Sequence, residues 1–71
     1  MLEKIKAILA EFTDADVSGV TEDTDIQFDL GFDSLQLMNL AVALEKEFGV
    51  TISDEDAAAI STVADVIRLV G

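Results

Sequence analysis

Apolar residues recur along this chain at helical spacing. Leu2, Ile5, Ile8, Leu9 and Phe12 fall at i, i+3, i+6, i+7 and i+10, one face of a helix. Glu3, Lys4, Lys6 and Glu11 take mostly other faces. The pattern predicts a first helix over about Leu2 to Phe12, ending near Thr13-Asp14. A second is predicted from about Ser34 to Phe48. Its apolar face is Leu37, Met38, Ala41, Leu44 and Phe48, with Leu40 at the border. Gly49 closes it as the residue just past the helix, and Lys46 in the last turn suits the dipole. Ser53 caps a short third helix, about Asp54 to Ile60, with Asp54, Glu55 and Asp56 in its first turn. Thr62 caps a fourth, with Asp65 three residues on and Val63, Val66, Ile67 and Val70 supplying the buried face.

Thr13 to Asp33 form a long connection rich in turn-forming residues, among them Asp14, Asp16, Ser18-Gly19 and Thr21-Glu22-Asp23-Thr24-Asp25. Ile26, Phe28 and Leu30 alternate as a short strand would. A lone strand would have only Gly49-Val50-Thr51-Ile52 to pair with, so an ordered loop that pins these three side chains onto the bundle is expected. The expected fold is all-α: a small four-helix bundle with a short third helix and a long loop between the first and second helices. There are no repeats, low-complexity segments or Pro-rich linkers, and 71 residues make a single domain with a small core.

Composition narrows the function. There is no Cys and no His. Zinc sites built on those residues and triads of the Ser-His or Cys-His type are therefore excluded. Fifteen acids against four bases give a net charge of −11. Such a surface repels nucleic acid and anionic membrane, and it favours basic protein partners. No apolar run approaches the roughly 18 residues of a membrane span. Met1-Leu2-Glu3-Lys4-Ile5 lacks the apolar core of a signal peptide. A cytoplasmic monomer is expected.

The candidate chemistry lies in Leu30-Gly31-Phe32-Asp33-Ser34-Leu35. Asp33 and Gln36 have the spacing of a capping box, so Asp33 reads as N-cap and Ser34 as the first helical residue. The Ser34 hydroxyl then lies beside unpaired N–H groups at the positive end of a helix, where a phosphate ester is well tolerated. This stretch resembles the phosphopantetheine attachment site of acyl carrier proteins. So do the helix ending Leu44-Glu45-Lys46-Glu47-Phe48-Gly49, the Val50-Thr51-Ile52-Ser53-Asp54-Glu55-Asp56 segment and the Ser61-Thr62-Val63 approach to the last helix.

The resemblance implies that a separate transferase, using Mg²⁺ only for the attachment, moves 4′-phosphopantetheine from coenzyme A to Ser34. An acyl group then rides on the arm as a thioester, and the protein itself is not an enzyme. Asp33 would matter to the transferase besides capping the helix. Leu35 would pack locally or contact partners. The acyl-loading and acyl-processing enzymes would meet the carrier with basic docking surfaces. Met38 resembles an apolar docking position of the family, though a core methionine fits equally well. Small residues (Ala41, Ala43, Ala57, Ala59 and Ala64) could leave room for an acyl chain between helices, or serve only as helix formers.

The chain departs from fatty-acid carriers at Gln36, Asn39 and Lys46, where acids are usual. Glu45 and Glu47 are the acids left in that helix. Gln36, Asn39, Glu45 and Glu47 form the candidate docking set with Met38. The departures keep polyketide, peptide and aminoacyl pathways open beside fatty acid synthesis.

A second class of function rests on the acidic loop. Asp14, Asp16, Ser18, Gly19, Glu22 and Asp25 fall at positions 1, 3, 5, 6, 9 and 12 of an EF-hand frame. Position 12 is Asp rather than Glu, position 8 is Thr21, and Ile26 to Gly31 does not continue as a helix. Asp14, Asp16 and Asp25 are thus weak calcium candidates, in an alternative calcium-binding or protein-docking module. Eleven uncompensated negative charges on a small domain predict that millimolar Mg²⁺ or added salt raises the melting temperature. With no Trp or Tyr, circular dichroism is the readout. A melt unchanged between low and high salt refutes the expectation.

Overall fold

Gly49, at φ 68°, stops the longest helix of the chain in a left-handed turn, and its N–H donates to the Glu45 carbonyl at 2.9 Å. That helix, α2 (Ser34–Phe48), touches all three others: α1 (Leu2–Ala10), α3 (Asp54–Ala58) and α4 (Val63–Val70). The computed structural model describes residues 1–71, and it is an all-α four-helix bundle with no strand. Every one of its sixteen buried residues is apolar.

The helices follow the apolar periodicity, with three differences at their edges. α1 ends at Ala10 rather than Phe12, because the N–H groups of Glu11 and Phe12 bond three residues back, to Ile8 and Leu9, and tighten the last turn. α3 ends at Ala58 rather than Ile60. A similar tightening, from the Ile60 N–H to the Ala57 carbonyl at 3.2 Å, turns Ile60 fully into the core. In α2, Leu40 lies at the centre of the buried face with Leu37, Ala41 and Leu44, not at its border, and Met38 and Phe48 are the half-buried flanks.

The loop over residues 11–33 contributes four core residues, Val20, Ile26, Leu30 and Phe32, as many as α2. Phe28 is not among them. The chain makes a tight turn at Asp25–Asp29, which breaks the alternation and leaves Phe28 90% exposed. The loop pairs not with Gly49–Ile52 but with the start of α4, through an isolated antiparallel bridge between Asp25 and Thr62. The Ile26 N–H donates to the Ser61 carbonyl at 2.7 Å. In return, the N–H groups of Val63 and Ala64 donate to the carbonyls of Thr24 and Glu22 at 3.0 and 2.9 Å. Gln27 adds a side-chain bond, Nε2 to the Ile60 carbonyl at 2.8 Å. Two amides that a helix leaves unpaired at its start are thus taken up by the loop.

Asp65 finishes the cap. Its Oδ2 accepts from the N–H groups of Ser61 and Thr62, both at 3.0 Å, while Arg68 pairs with Oδ1. The Thr62 N–H bond is the strongest influence holding its carboxyl below the ordinary range, helped by the Ser61 N–H and Arg68 and opposed by partial burial. A carboxyl held low in the folded state stabilises fully above its unfolded value of about 3.9, and this is lost as pH falls through the lower folded value. Asp65→Ala is therefore expected to cost about 1–2 kcal/mol at neutral pH. The gap to wild type should narrow as pH falls below about 4. Denaturant melts at the two pH values check this, and a gap independent of pH contradicts it.

Candidate functional site

Gly31 adopts φ 72°, and a Cβ there would meet nothing within 4 Å. Glycine is favoured by this left-handed backbone, not by lack of space. The turn sends Phe32 into the core and brings Asp33 out at the start of α2. Asp33, in extended conformation, caps the helix. Its Oδ1 accepts from the Gln36 N–H at 2.8 Å, and its own N–H donates to Gln36 Oε1 at 3.2 Å. The capping box expected from the spacing is present.

The Gln36 side chain does more. Its Nε2 donates to the Phe12 carbonyl at 2.9 Å, just past α1. Thr13 Oγ1 donates to the Leu30 carbonyl at 3.3 Å, a second tie between the end of α1 and the approach to α2. Ser34, the first residue of α2, is exposed. The Asp33 carbonyl receives the Leu37 N–H, and no acceptor in the chain takes the N–H of Ser34 or Leu35. An exposed hydroxyl thus lies on a braced helix start with free backbone donors beside it, an environment that suits a phosphodiester. The Ser34 hydroxyl has no base of its own, for the chain lacks His and the Asp33 carboxylate already caps the helix.

The other predicted residues divide in two. Leu35 (68% exposed) and Asn39 lie on the open face of α2, with Val42 half exposed one turn further on. Met38 is half-buried against the core. Gln36 is half-buried with both ends of its amide engaged internally. Glu45 is also half-buried, and its Oε2 accepts from the Ile52 N–H at 2.7 Å, tying the end of α2 to the segment before α3. Glu47 lies 3.6 Å from Lys4. Gln36 and Glu45 thus serve as internal braces, a role their sequence positions did not reveal because their partners lie 24 and 7 residues away.

The calcium candidates do not converge. No group of three carboxylates in the chain is close enough to hold a metal ion. Asp16 Oδ1 accepts from the Ser18 N–H at 2.9 Å, the main reason its carboxyl is held below the ordinary range. Asp25 Oδ1 accepts from the Phe28 N–H at 2.8 Å. The loop carboxylates form local turns instead. Of the five small residues considered for acyl accommodation, only Ala59 lines an open cleft. It is about 190 Å³, lies between α3 and α4, and also touches Asp56, Ile60, Asp65, Arg68 and Leu69.

The sequence profile described as "Phosphopantetheine attachment site" matches residues 3–70. An acyl carrier protein of Thermotoga maritima is 41% identical over 70 residues, which span 99% of this chain and 86% of that one. The 3,7-dioxo-octyl actinorhodin acyl carrier protein of Streptomyces coelicolor superposes with a TM-score of 0.85 at 32% identity, over 99% of this chain and 85% of that one. The acyl carrier protein of Enterococcus faecalis gives 0.80 at 38%, over 97% and 87%. The chain belongs to the acyl carrier protein family. It is a carrier of fatty acid or polyketide synthesis, with 4′-phosphopantetheine as its covalent cofactor.

Gln36→Ala removes the amide that joins the cap of α2 to the end of α1. It is expected to lower stability by about 1–2 kcal/mol and to speed amide exchange at Gln36 and Leu37, at the start of α2. Denaturation by circular dichroism and hydrogen exchange check both, and an unaltered exchange profile contradicts the bracing role.

Proposed function

We propose that Ser34 Oγ is the atom that accepts 4′-phosphopantetheine. The observation that carries this is the exposed hydroxyl at the first position of α2, held by the Asp33–Gln36 capping box and its tie to Phe12. A separate transferase, with Mg²⁺, would supply the base. The Oγ–phosphorus bond forms, the pyrophosphate bond of coenzyme A breaks, 3′,5′-adenosine bisphosphate leaves, and the hydroxyl proton passes to the transferase. The group so attached brings the thiol that the chain lacks, and that thiol holds acyl groups as thioesters.

The chain's own residues then position and present. Asp33 and Gln36 keep the start of α2 from fraying, so the attachment point stays at a defined place. The free N–H groups of Ser34 and Leu35 favour the negative phosphodiester by about 0.3–1 kcal/mol. The open face of α2, with Leu35, Asn39 and the exposed part of Met38, is the surface offered to the acyl-loading and acyl-processing enzymes. The net charge of −11 selects partners whose docking surfaces are basic. In this reading the chain works as a single monomeric domain in the cytoplasm and catalyses nothing itself. No helix is long and apolar enough to cross a membrane.

Intact-protein mass spectrometry tests the proposal. The chain is incubated with coenzyme A, Mg²⁺ and a broad-specificity phosphopantetheinyl transferase, with Ser34→Ala alongside. One added phosphopantetheine on the wild type and none on the variant is the expected outcome. A folded, initially unmodified wild type that gains no mass, or a variant that gains it, refutes the assignment.

A further inference from the structure

Phe28, 90% exposed, is held outward by its backbone. Its N–H donates to Asp25 Oδ1 at 2.8 Å, and the Asp29 N–H donates to the Asp25 carbonyl at 2.8 Å. The Asp25 N–H donates to Asp29 Oδ2 at 3.0 Å, and Gln27 Nε2 reaches the Ile60 carbonyl. Ile26 and Leu30 on either side are buried, which leaves the ring no room to exchange places with them. A single exposed apolar residue is ordinary on a protein surface. One mounted on a turn braced by four hydrogen bonds is preorganised, and it loses little freedom when a partner covers it.

Its position adds to this. The Phe32 N–H donates to the Ile26 carbonyl at 3.3 Å and closes residues 26–32 into a small loop ending two residues before Ser34. Chain geometry therefore keeps Phe28 within about 20 Å of Ser34. An ordinary interface covers about 800 Å² of each partner, a patch roughly 30 Å across. The whole surface here is 4168 Å². A protein that seats Ser34 in its active site has the reach to cover Phe28 as well. Asp25 and Asp29 belong to the same turn, and Asp29 and Asp33, the latter toward Ser34, are exposed. An aromatic anchor inside a polar rim is the usual make-up of an energetic centre in an interface.

We propose that Phe28 is an apolar anchor for the transferase that modifies Ser34. It enters a pocket whose rim carries Lys or Arg side chains facing Asp29 and Asp33. This rests on Ser34 being the attachment residue. The transferase is the partner singled out because it binds before any arm exists. Its hold on the chain comes from protein surface alone, whereas later enzymes also grip the arm and its cargo. A second copy of the chain is a poor occupant, since both copies carry −11.

Steady-state modification by a broad-specificity phosphopantetheinyl transferase, with coenzyme A and Mg²⁺ saturating, is measured on wild type, Phe28→Ala and Phe28→Leu. Phe28→Ala is expected to raise KM for the carrier about tenfold, with kcat within about twofold, because the ring binds and does not touch the reacting atoms. Phe28→Leu recovers most of the loss. Circular dichroism melts of the three proteins should coincide, which separates docking from folding. A modified wild type with the same KM as Phe28→Ala overturns the anchor alone, and a folded wild type that gains no mass overturns the Ser34 assignment with it. A wild type that sediments as a dimer, made monomeric by Phe28→Ala, would give the ring a different occupant and also overturns the proposal.

Discussion

Four backbone and side-chain bonds between the long loop and the start of α4 hold this molecule in its shape. A connection over residues 11–33 with no helix or strand would ordinarily leave its amides and carbonyls to water. Here the carbonyls of Glu22 and Thr24 and the N–H of Ile26 meet the approach to α4, and Gln27 meets Ile60. α4 has only eight residues, too few to stand as a helix in water, and it gains by having its first amides taken up. Each partner orders the other. The seam also fixes the depth at which Ile26, Leu30 and Phe32 enter the core, and so where Gly31 turns the chain toward Ser34.

From that seam to the serine, the placement is passed along by polar side chains turned inward. Gln36 spans the cap of α2 and the end of α1, and Glu45 does the same between the end of α2 and Ile52. Two residues of the candidate docking set thus also hold α2 at both ends. The open face of α2 carries Leu35, Asn39 and Val42.

Much of this was legible before any coordinates, and what was legible was local. The helices announce themselves by apolar spacing, and Asp33, Gln36, Ser53 and Gly49 by their places at helix ends. Ser34 could be singled out because its setting is contained within a few residues. What is not legible is the backbone geometry of individual turns, which residue type and spacing leave open. Phe28 continues an alternation, yet the bonds of Asp25 to Phe28 and Asp29 turn it outward. α1 and α3 stop two residues early because their last turns tighten. The acids of the loop fall in a calcium-binding frame by spacing, but Asp16 and Asp25 are bound up in their own turns and no three carboxylates converge.

The charge is distributed as unevenly as the structure. Seven acids and no base lie between Thr13 and Asp33, while Glu3 and Glu11 are balanced by Lys4 and Lys6 around α1. The loop that runs into Ser34 is therefore far more negative than α1. At physiological ionic strength the field of a neighbour decays over about 8 Å, whereas the shortest dimension of the chain is 19 Å. A basic enzyme thus pulls on the near side only, and the pull is strong when that side is the loop and almost nothing when it is α1. Between collisions the carrier tumbles freely. During them it experiences a torque, and the end that bears Ser34 is the one that swings forward.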